Sequence, residues 1–263
     1  MAGELTDRAV IAVSGPEAKS FLQGLMTNDV GRLAPDTPLY AAQLTPQGKV
    51  LFDFLLSEQD GTIFIDCAAA SSQTLLKRLT MYRLRARVEL SLRDDLAVLW
   101  NEQGLPDPRL PELGTRQIAP ANTADGAAEY LAQRLSLGIP EGGDFGSDRM
   151  FALDGGLEEL HAVSFDKGCY VGQELTARMK HRGTARKRLL PVDAADENPL
   201  PPAGTDIRAG EISLGEITST YNDRGFALIR LDRWQEAGGA PAYASGHEVK
   251  IFRPAWLAGA AAS

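Results

Sequence analysis

The chain has 263 residues, enough for a large core and more than one lobe, and its 44% hydrophobic and 24% charged residues are those of an ordinary globular protein. No apolar run approaches the roughly 20 residues that cross a bilayer. The net charge of −8 disfavours general attraction to nucleic acid, and two cysteines far apart in sequence exclude a disulfide framework.

The start, MAGELTDRAVIAVSG, has no basic segment followed by an apolar one, so no signal peptide is expected; its Glu4 and Asp7 also argue against a transit peptide. Residues 8–14, RAVIAVS, read as a strand. Ser14 is placed to cap a helix with Pro16 in its first turn, and Ala18, Phe21, Leu22 and Leu25 recur at helical spacing towards Thr27–Asn28–Asp29. Strands follow at 39–44 and 49–57, joined by the turn Thr45-Pro46-Gln47-Gly48. Asp60–Gly61 is a hairpin signal before the strand TIFIDC. Ser71 or Ser72 caps a second helix with Leu75, Leu76 and Leu79 on one face.

Strands return around ARVELSL and LAVLW, and residues 101–125 read mostly as irregular connections. A third helix is expected over about 124–137, ending at Gly138 in the C′ position. Residues 139–168 look loop-like, and a fourth helix should run from Val171 to Arg182 and stop at Gly183. The stretch PVDAADENPLPPAGTD is a hinge, beyond which GEISLGEITST, GFALIRL and HEVKIF are short strands. The tail AGAAAS reads as frayed. The expected organisation is an α+β body over residues 1–188 and an all-β domain over 189–263, a small antiparallel barrel or sandwich.

Residues 167–174, K-G-C-Y-V-G-Q-E, hold one of the two cysteines. A helix starting near Val171 would set Cys169 just before its N-terminus, where unpaired N–H groups and Lys167 favour the thiolate. Tyr170 offers a flat ring, and Gln173 and Glu174 lie in the first helical turn, within reach of a ligand. The opposing consideration is that a glycine-rich turn into a helix is common and a lone cysteine is more often inert. Cys67, in IFIDCAAA, reads as a small buried hydrophobe. A cysteine hydrolase needs a histidine base; His181 lies across the helix from Cys169 and is expected to face elsewhere, whereas His161 is placed to fold back. The ligand supply is too poor for a zinc site, and too poor for the chain to ligate an iron–sulfur cluster by itself.

Arg178, Lys180, Arg182, Arg186, Lys187 and Arg188 follow without an intervening acid, leaving the rest of the chain near −14. Such a patch either receives an anionic ligand or partner or merely solvates a helix end.

The octapeptide closely resembles the signature of the YgfZ-type folate-binding proteins, a family that includes a mitochondrial iron–sulfur assembly factor and is related to the glycine-cleavage T-protein aminomethyltransferases. FLQGLMTNDV at 21–30, LTPQGKVLFDFLL at 44–56, YRLRARV at 82–88 and AVSFDKGCYVGQE agree in order and spacing. The resemblance implies a three-lobed ring of two interleaved α+β domains and a C-terminal antiparallel β-barrel. It implies tetrahydrofolate as cofactor and a role in assembly or repair of [4Fe–4S] enzymes, one of which modifies tRNA. It makes Cys169 the important thiol, with Lys167 as its partner, and makes the chain an accessory factor more than an enzyme. The alternative is a tetrahydrofolate-dependent aminomethyltransferase or demethylase. In T-proteins a paired aspartate stands near the folate; here Phe52–Asp53 keeps one carboxylate, which stands either near the folate or on a solvated strand face. Tyr170, Gln173 and Glu174 are the candidate folate contacts. Arg178, Arg182 and Arg85 are the candidate clamps for its carboxylate tail, Arg85 as the middle member of a strand-like alternation with Arg83 and Arg87. The expected partners are iron–sulfur client enzymes or assembly proteins, without direct nucleic-acid or membrane binding, for a monomer in the cytoplasm.

Overall fold

The computed structural model describes residues 3–121, 124–183, 186–196 and 198–258. The body opens with β1 (Gly3–Glu4), β2 (Arg8–Ser14), α1 (Ala18–Gln23), β3 (Leu39–Leu44), β4 (Val50–Gln59), β5 (Thr62–Ala68) and α2 (Ala69–Arg83). It continues through β6 (Glu89–Leu92), β7 (Leu96–Pro106), β8 (Thr115–Pro120), α3 (Ala127–Ser136) and α4 (Gln173–Arg182). The C-terminal part holds β9 (Lys187–Ala194), β10 (Asp206–Ala209), β11 (Ile212–Tyr221), β12 (Arg224–Arg230), α5 (Leu231–Glu236), β13 (Ala242–Ala244), β14 (His247–Ile251) and α6 (Ala255–Ala258).

The chain interleaves two sheets in the body. β1 leaves its neighbour in sequence to pair with β7, giving the order β1-β7-β8, while the other sheet runs β3-β4-β5-β2-β6. Alternation along the strands of the larger sheet separates two cores, because successive side chains point to opposite faces. Ile11, Val13, Phe54, Leu56, Ile63 and Ile65 pack beneath α1 and α2, where Leu22, Leu75 and Leu79 meet them. Val10, Ala12, Tyr40, Leu55 and Phe64 face Val98, Trp100, Tyr130 and the segment around Phe145 to Leu160. The remaining strands close into an antiparallel barrel, β10-β11-β12-β9-β14-β13, filled by Leu190, Val192, Ile207, Ile217, Ala227 and Ile229. The α+β body and the closed barrel are the expected fold class. Among the described residues no helix is long and apolar enough to cross a membrane.

Several local expectations are corrected. Ser14 ends β2 and caps nothing; α1 begins at Ala18 after Glu17 and stops at Gln23. The residues beyond it are claimed by tertiary hydrogen bonds: Thr27 N–H donates to Ala42 O, its hydroxyl to Ala162 O, and the Asn28 amide to Tyr40 O and His161 O. Helix α2 starts at Ala69, ahead of both serines, and the Ser71 and Ser72 hydroxyls donate back to Ala68 O and Ala69 O instead of capping. Leu76 is only half-buried beside Leu75 and Leu79. Residues 101–125 are less irregular than expected: β7 runs on to Pro106 and β8 pairs with it across a bulge between Trp100 and Leu105. Every residue of β8 from Thr115 to Ala119 is half-buried, so no alternation betrays it. The tail AGAAAS lies outside the described residues except for Ala258.

Candidate functional site

Lys167 is the anchor of the motif. Its side chain is buried, and Nζ donates to Gln23 O at 2.8 Å, Met26 O at 2.7 Å and Asn28 O at 2.6 Å. Two of these carbonyls, Gln23 and Met26, belong to the C-terminal end of α1 and the turn after it, where helical carbonyls lack partners. The ammonium also lies 5.2 Å from the centroid of the Tyr170 ring. Burial lowers the Lys167 pKa to about 8, with the Asp29 carboxylate opposing. An ammonium has three protons, and all three are taken by carbonyls. Lys167 therefore fixes the backbone on which Cys169 stands, and its three ammonium protons go to these carbonyls.

The helix expected to begin at Val171 begins at Gln173, so Cys169 lies four positions, not two, ahead of the first residue of α4. The intervening turn is made by Gly172, at φ 86°, which packs against the β3–β4 hairpin: a Cβ there would lie 2.5 Å from Thr45 O and 3.2 Å from Gly48 Cα. Gly48, at φ 77°, returns the contact, with a Cβ position 3.2 Å from Gly172 O. Two glycines thus let the hairpin tip touch the start of α4. Val171 N–H donates to Gly24 O, closing the third side of the anchor.

On this frame Cys169 is exposed, at the edge of an open cleft of about 950 Å³. One wall is the α4 face made by Gln173, Glu174, Ala177, Arg178, His181 and Arg182, residues spaced at i and i+4. The other wall is Pro46 from the hairpin tip and Tyr82 from the end of α2. The Tyr170 ring forms part of the floor; it is only 7% exposed, and burial pushes its phenol up to about 12. Its hydroxyl is buried beside the Thr176 hydroxyl, which itself donates to Gly172 O. Arg178 and Arg182 are exposed and form no ion pair among the described residues, whereas Lys180 is paired with Glu158 and Arg188 with Glu159. Within the basic run, two cations are thus paired and two face the cleft unpaired. His181, expected to face away, lines the same cleft as Cys169, while His161 is exposed and does not line it.

Two expected site residues are elsewhere. Arg85 is not on a strand: α2 extends to Arg83, Leu84 turns at φ 46°, and Arg85 is exposed in the loop beyond. It borders a separate hollow with Gly15 and Pro16, away from the cleft lining. Asp53, expected near a ligand or on a solvated face, is 4% exposed and sealed on both oxygens: Tyr40 O–H donates to Oδ2 at 3.0 Å and Gly142 N–H to Oδ1 at 2.9 Å. Burial raises its pKa, and the nearby Glu141 charge adds to the rise.

Beside Asp53 lies a buried charge network that the sequence did not announce. Glu141 accepts from Arg8 at 2.5 Å, from Arg109 at 2.6 Å and from the Tyr130 hydroxyl at 2.5 Å. Arg8 and Arg116 both bind Asp66 at 2.6 Å, and Asp107 binds Arg109 at 2.7 Å and Arg116 at 3.0 Å. Burial alone would raise the Glu141 carboxyl; Arg8, Arg109 and Arg116 overturn this and hold it well below the usual range. The network joins β2, β5, β8 and the loops around Asp107 and Glu141, so it locks the two body sheets together. The signals in the sequence were single charges inside apolar strands, Arg8 at the head of RAVIAVS and Asp66 within TIFIDC.

The comparisons with known proteins fit this arrangement. The CAF17 C-terminal beta-barrel domain matches residues 186–259. The iron–sulfur cluster assembly factor IBA57 homologue of Neurospora crassa is 34% identical over 77% of this chain, which covers 56% of the fungal protein's length. The IBA57 homologue of Mycosarcoma maydis is 32% identical, with 89% of this chain and 75% of the relative covered, and mouse IBA57 is 31% identical, with 87% and 77% covered. Among solved structures, the glycine cleavage system aminomethyltransferase T of Bartonella henselae superposes with a TM-score of 0.74 over 97% of this chain and 85% of its own, at 14% identity, a likeness of fold. All three IBA57 relatives are mitochondrial proteins, which overturns the expectation of a cytoplasmic one.

Proposed function

This chain belongs to the IBA57 family of iron–sulfur cluster assembly factors, and from that premise we propose that it serves the assembly or repair of [4Fe–4S] enzymes by presenting the Cys169 thiol to a cluster held by a partner protein. The observation that carries this reading is an exposed thiol on a rigid base: Cys169 is open to the cleft, while Lys167 and Tyr170 on either side are buried. A soft thiolate suits iron in a cluster. One accessible cysteine cannot complete a cluster's ligand set, so the remaining ligands come from the partner. The cluster is cargo here and not a resident group.

Tetrahydrofolate is the small molecule we assign to the same cleft, in the manner of the YgfZ-type proteins the chain resembles. Three features favour it. The lining offers aromatic and apolar surface from Tyr82, Tyr170, Pro46 and Val171. Gln173 is available to the polar edge of a pterin with the Tyr170 ring beneath it, and the unpaired Arg178 and Arg182 to a carboxylate tail. When bound, the folate would supply one-carbon chemistry. Asp53 is sealed by Tyr40 and Gly142, so the aminomethyl-transfer reading finds no accessible carboxylate there. Effects on tRNA modification follow through the [4Fe–4S] enzymes served.

The test is rescue of a strain lacking the gene, with [4Fe–4S] and [2Fe–2S] enzyme activities measured side by side. Wild type should restore the [4Fe–4S] activities and Cys169→Ser should not. Full rescue by Cys169→Ser would remove the thiol from the mechanism.

A further inference from the structure

The end of α2 carries an exposed ridge, in which Tyr82 meets the Arg78 guanidinium and Met81 and Leu84 face outward. Met81 is 68% exposed, Tyr82 37% and Leu84 86%, three of the largest apolar side chains on the surface in four consecutive positions. Leu84 also holds φ 46° and ψ −106°, a conformation suited to glycine. An exposed leucine in that geometry costs the fold stability and returns no burial. Arg83 and Arg85 flank it, both exposed and without an ion pair among the described residues. Tyr82 is shared with the Cys169 cleft, whose far wall presents Arg178 and Arg182, likewise unpaired. Arg83, Leu84 and Arg85 line a hollow of their own, and Tyr82, adjacent in sequence, lines the cleft, so ridge and cleft adjoin at Tyr82 on a chain whose net charge is −8.

We propose that the ridge Met81–Arg85, with Arg178 and Arg182, is the docking surface for an acidic partner protein and seats that partner against Cys169. The proposal deepens the reading of Cys169 as a thiol offered to a partner-held cluster and rests on it. Charge selects the partner: against the exposed acids Glu174 and Glu89, the unpaired Arg83, Arg85, Arg178 and Arg182 leave this surface net positive, which matches a carboxylate-rimmed apolar patch. Met81 and Leu84 give a nucleic acid no ring to stack upon, and the acidic remainder of the molecule repels an extended phosphate chain, so Tyr82 by itself does not make a nucleic-acid surface.

The experiment places the photo-crosslinking residue p-benzoylphenylalanine in the full chain at Leu84, and at Tyr243 on the barrel as control, and identifies adducts formed in cells. The expected result is an adduct at 84 and not at 243 with an acidic iron–sulfur-binding protein. That protein, purified, should bind Arg83→Glu/Arg85→Glu, a variant that leaves the cleft arginines in place, at least about tenfold more weakly than wild type, with an affinity that falls as salt is raised. Leu84→Gly should weaken binding yet melt no lower than wild type. No adduct at 84, equal adducts at both positions, an adduct with a second copy of this chain, or an adduct with nucleic acid would each overturn the proposal. If the arginine and Leu84 variants rescue fully while Cys169→Ser does not, the docking surface is wrong and the thiol reading stands. Full rescue by Cys169→Ser sinks the thiol reading whatever the adduct.

Discussion

Lys167→Met keeps a side chain of similar length and removes the ammonium. In the native chain that ammonium donates to three carbonyls at 2.6 to 2.8 Å and lies 5.2 Å from the Tyr170 ring centroid. Hydrogen bonds from a charged group contribute about 1.5–3 kcal/mol each, but part of that sum offsets the cost of burying the charge. Removing the ammonium leaves neutral acceptors, each costing about 1–3 kcal/mol if it stays unsatisfied, and relieves the cost of burying the charge, for a net of about 3–5 kcal/mol. Here the acceptors are Gln23 O, Met26 O and Asn28 O. In a chain of this size 1 kcal/mol corresponds to roughly 2–4 °C, so the melting temperature should fall by roughly 10 °C. Lys167→Arg should restore little, since a planar fork does not match three carbonyls converging on one point. Thermal unfolding by circular dichroism gives the global change, and amide exchange over residues 24–28 gives the local one. A fall under about 2 °C with unchanged exchange would show that the carbonyls find other partners and that Lys167 is not the anchor.

The buried network predicts an acid limb. Glu141 and Asp107 have pKa values below their ordinary ones, so they contribute stability that is present above about pH 4 and lost as pH falls through their native values. Asp53 and Asp7, raised by burial, act in the opposite sense and offset part of the loss. Glu141→Gln should cost about 3–5 kcal/mol at pH 7 and flatten the acid limb of the stability curve; an unchanged limb would show that other carboxylates set it. Gly172→Ala should be destabilising by about 2–3 kcal/mol in urea unfolding, from its φ of 86° and the 2.5 Å approach to Thr45 O, whereas a Cβ on Gly168 meets open space and Gly168→Ala should stay within about 0.5 kcal/mol. Equal losses would refute the packing account of Gly172. Finally, iodoacetamide should label Cys169 in the native protein and Cys67 only on unfolding, since Cys67 is 1% exposed and burial pushes its thiol up to about 12. Labelling of both at equal rates, followed by mass spectrometry, would contradict the buried placement.

Strands were legible where a short run rich in apolar residues is buried against cores on both faces. RAVIAVS and LYAAQL appear with their expected bounds, and Asp60–Gly61 turns with both residues at positive φ, as a tight hairpin requires. Strand β8 was not legible, because half-burial along its length erases the alternation. Helix ends were legible where the stop is a local conformation, as at Gly183, which adopts the left-handed region. They were misread where the stop is tertiary, as at Thr27 and Asn28, whose polar groups bond to β3 and to the segment at 161–162.

The site divides in the same way. The motif around Cys169, its unusual glycines and the basic residues at 178 and 182 are contiguous in sequence, and their chemistry could be named from residue types. What each side chain does depends on partners far away along the chain. Lys167 was read beside Cys169 because they are two residues apart, but its partners at 23, 26 and 28 decide its role. His181 was read away from Cys169, and the α4 face turns it into the cleft. Asp53 was read either near the folate or on a solvated strand face, and β3 and the Glu141 loop close over it. Local sequence therefore determined the thiol, the turn chemistry and the periodicity of the cores, since these need only neighbours. The tertiary fold alone decided which charges are neutralised and which face outward, because hydrogen bonds and burial are settled by groups more than a hundred residues apart, as Lys167 and Gln23 are.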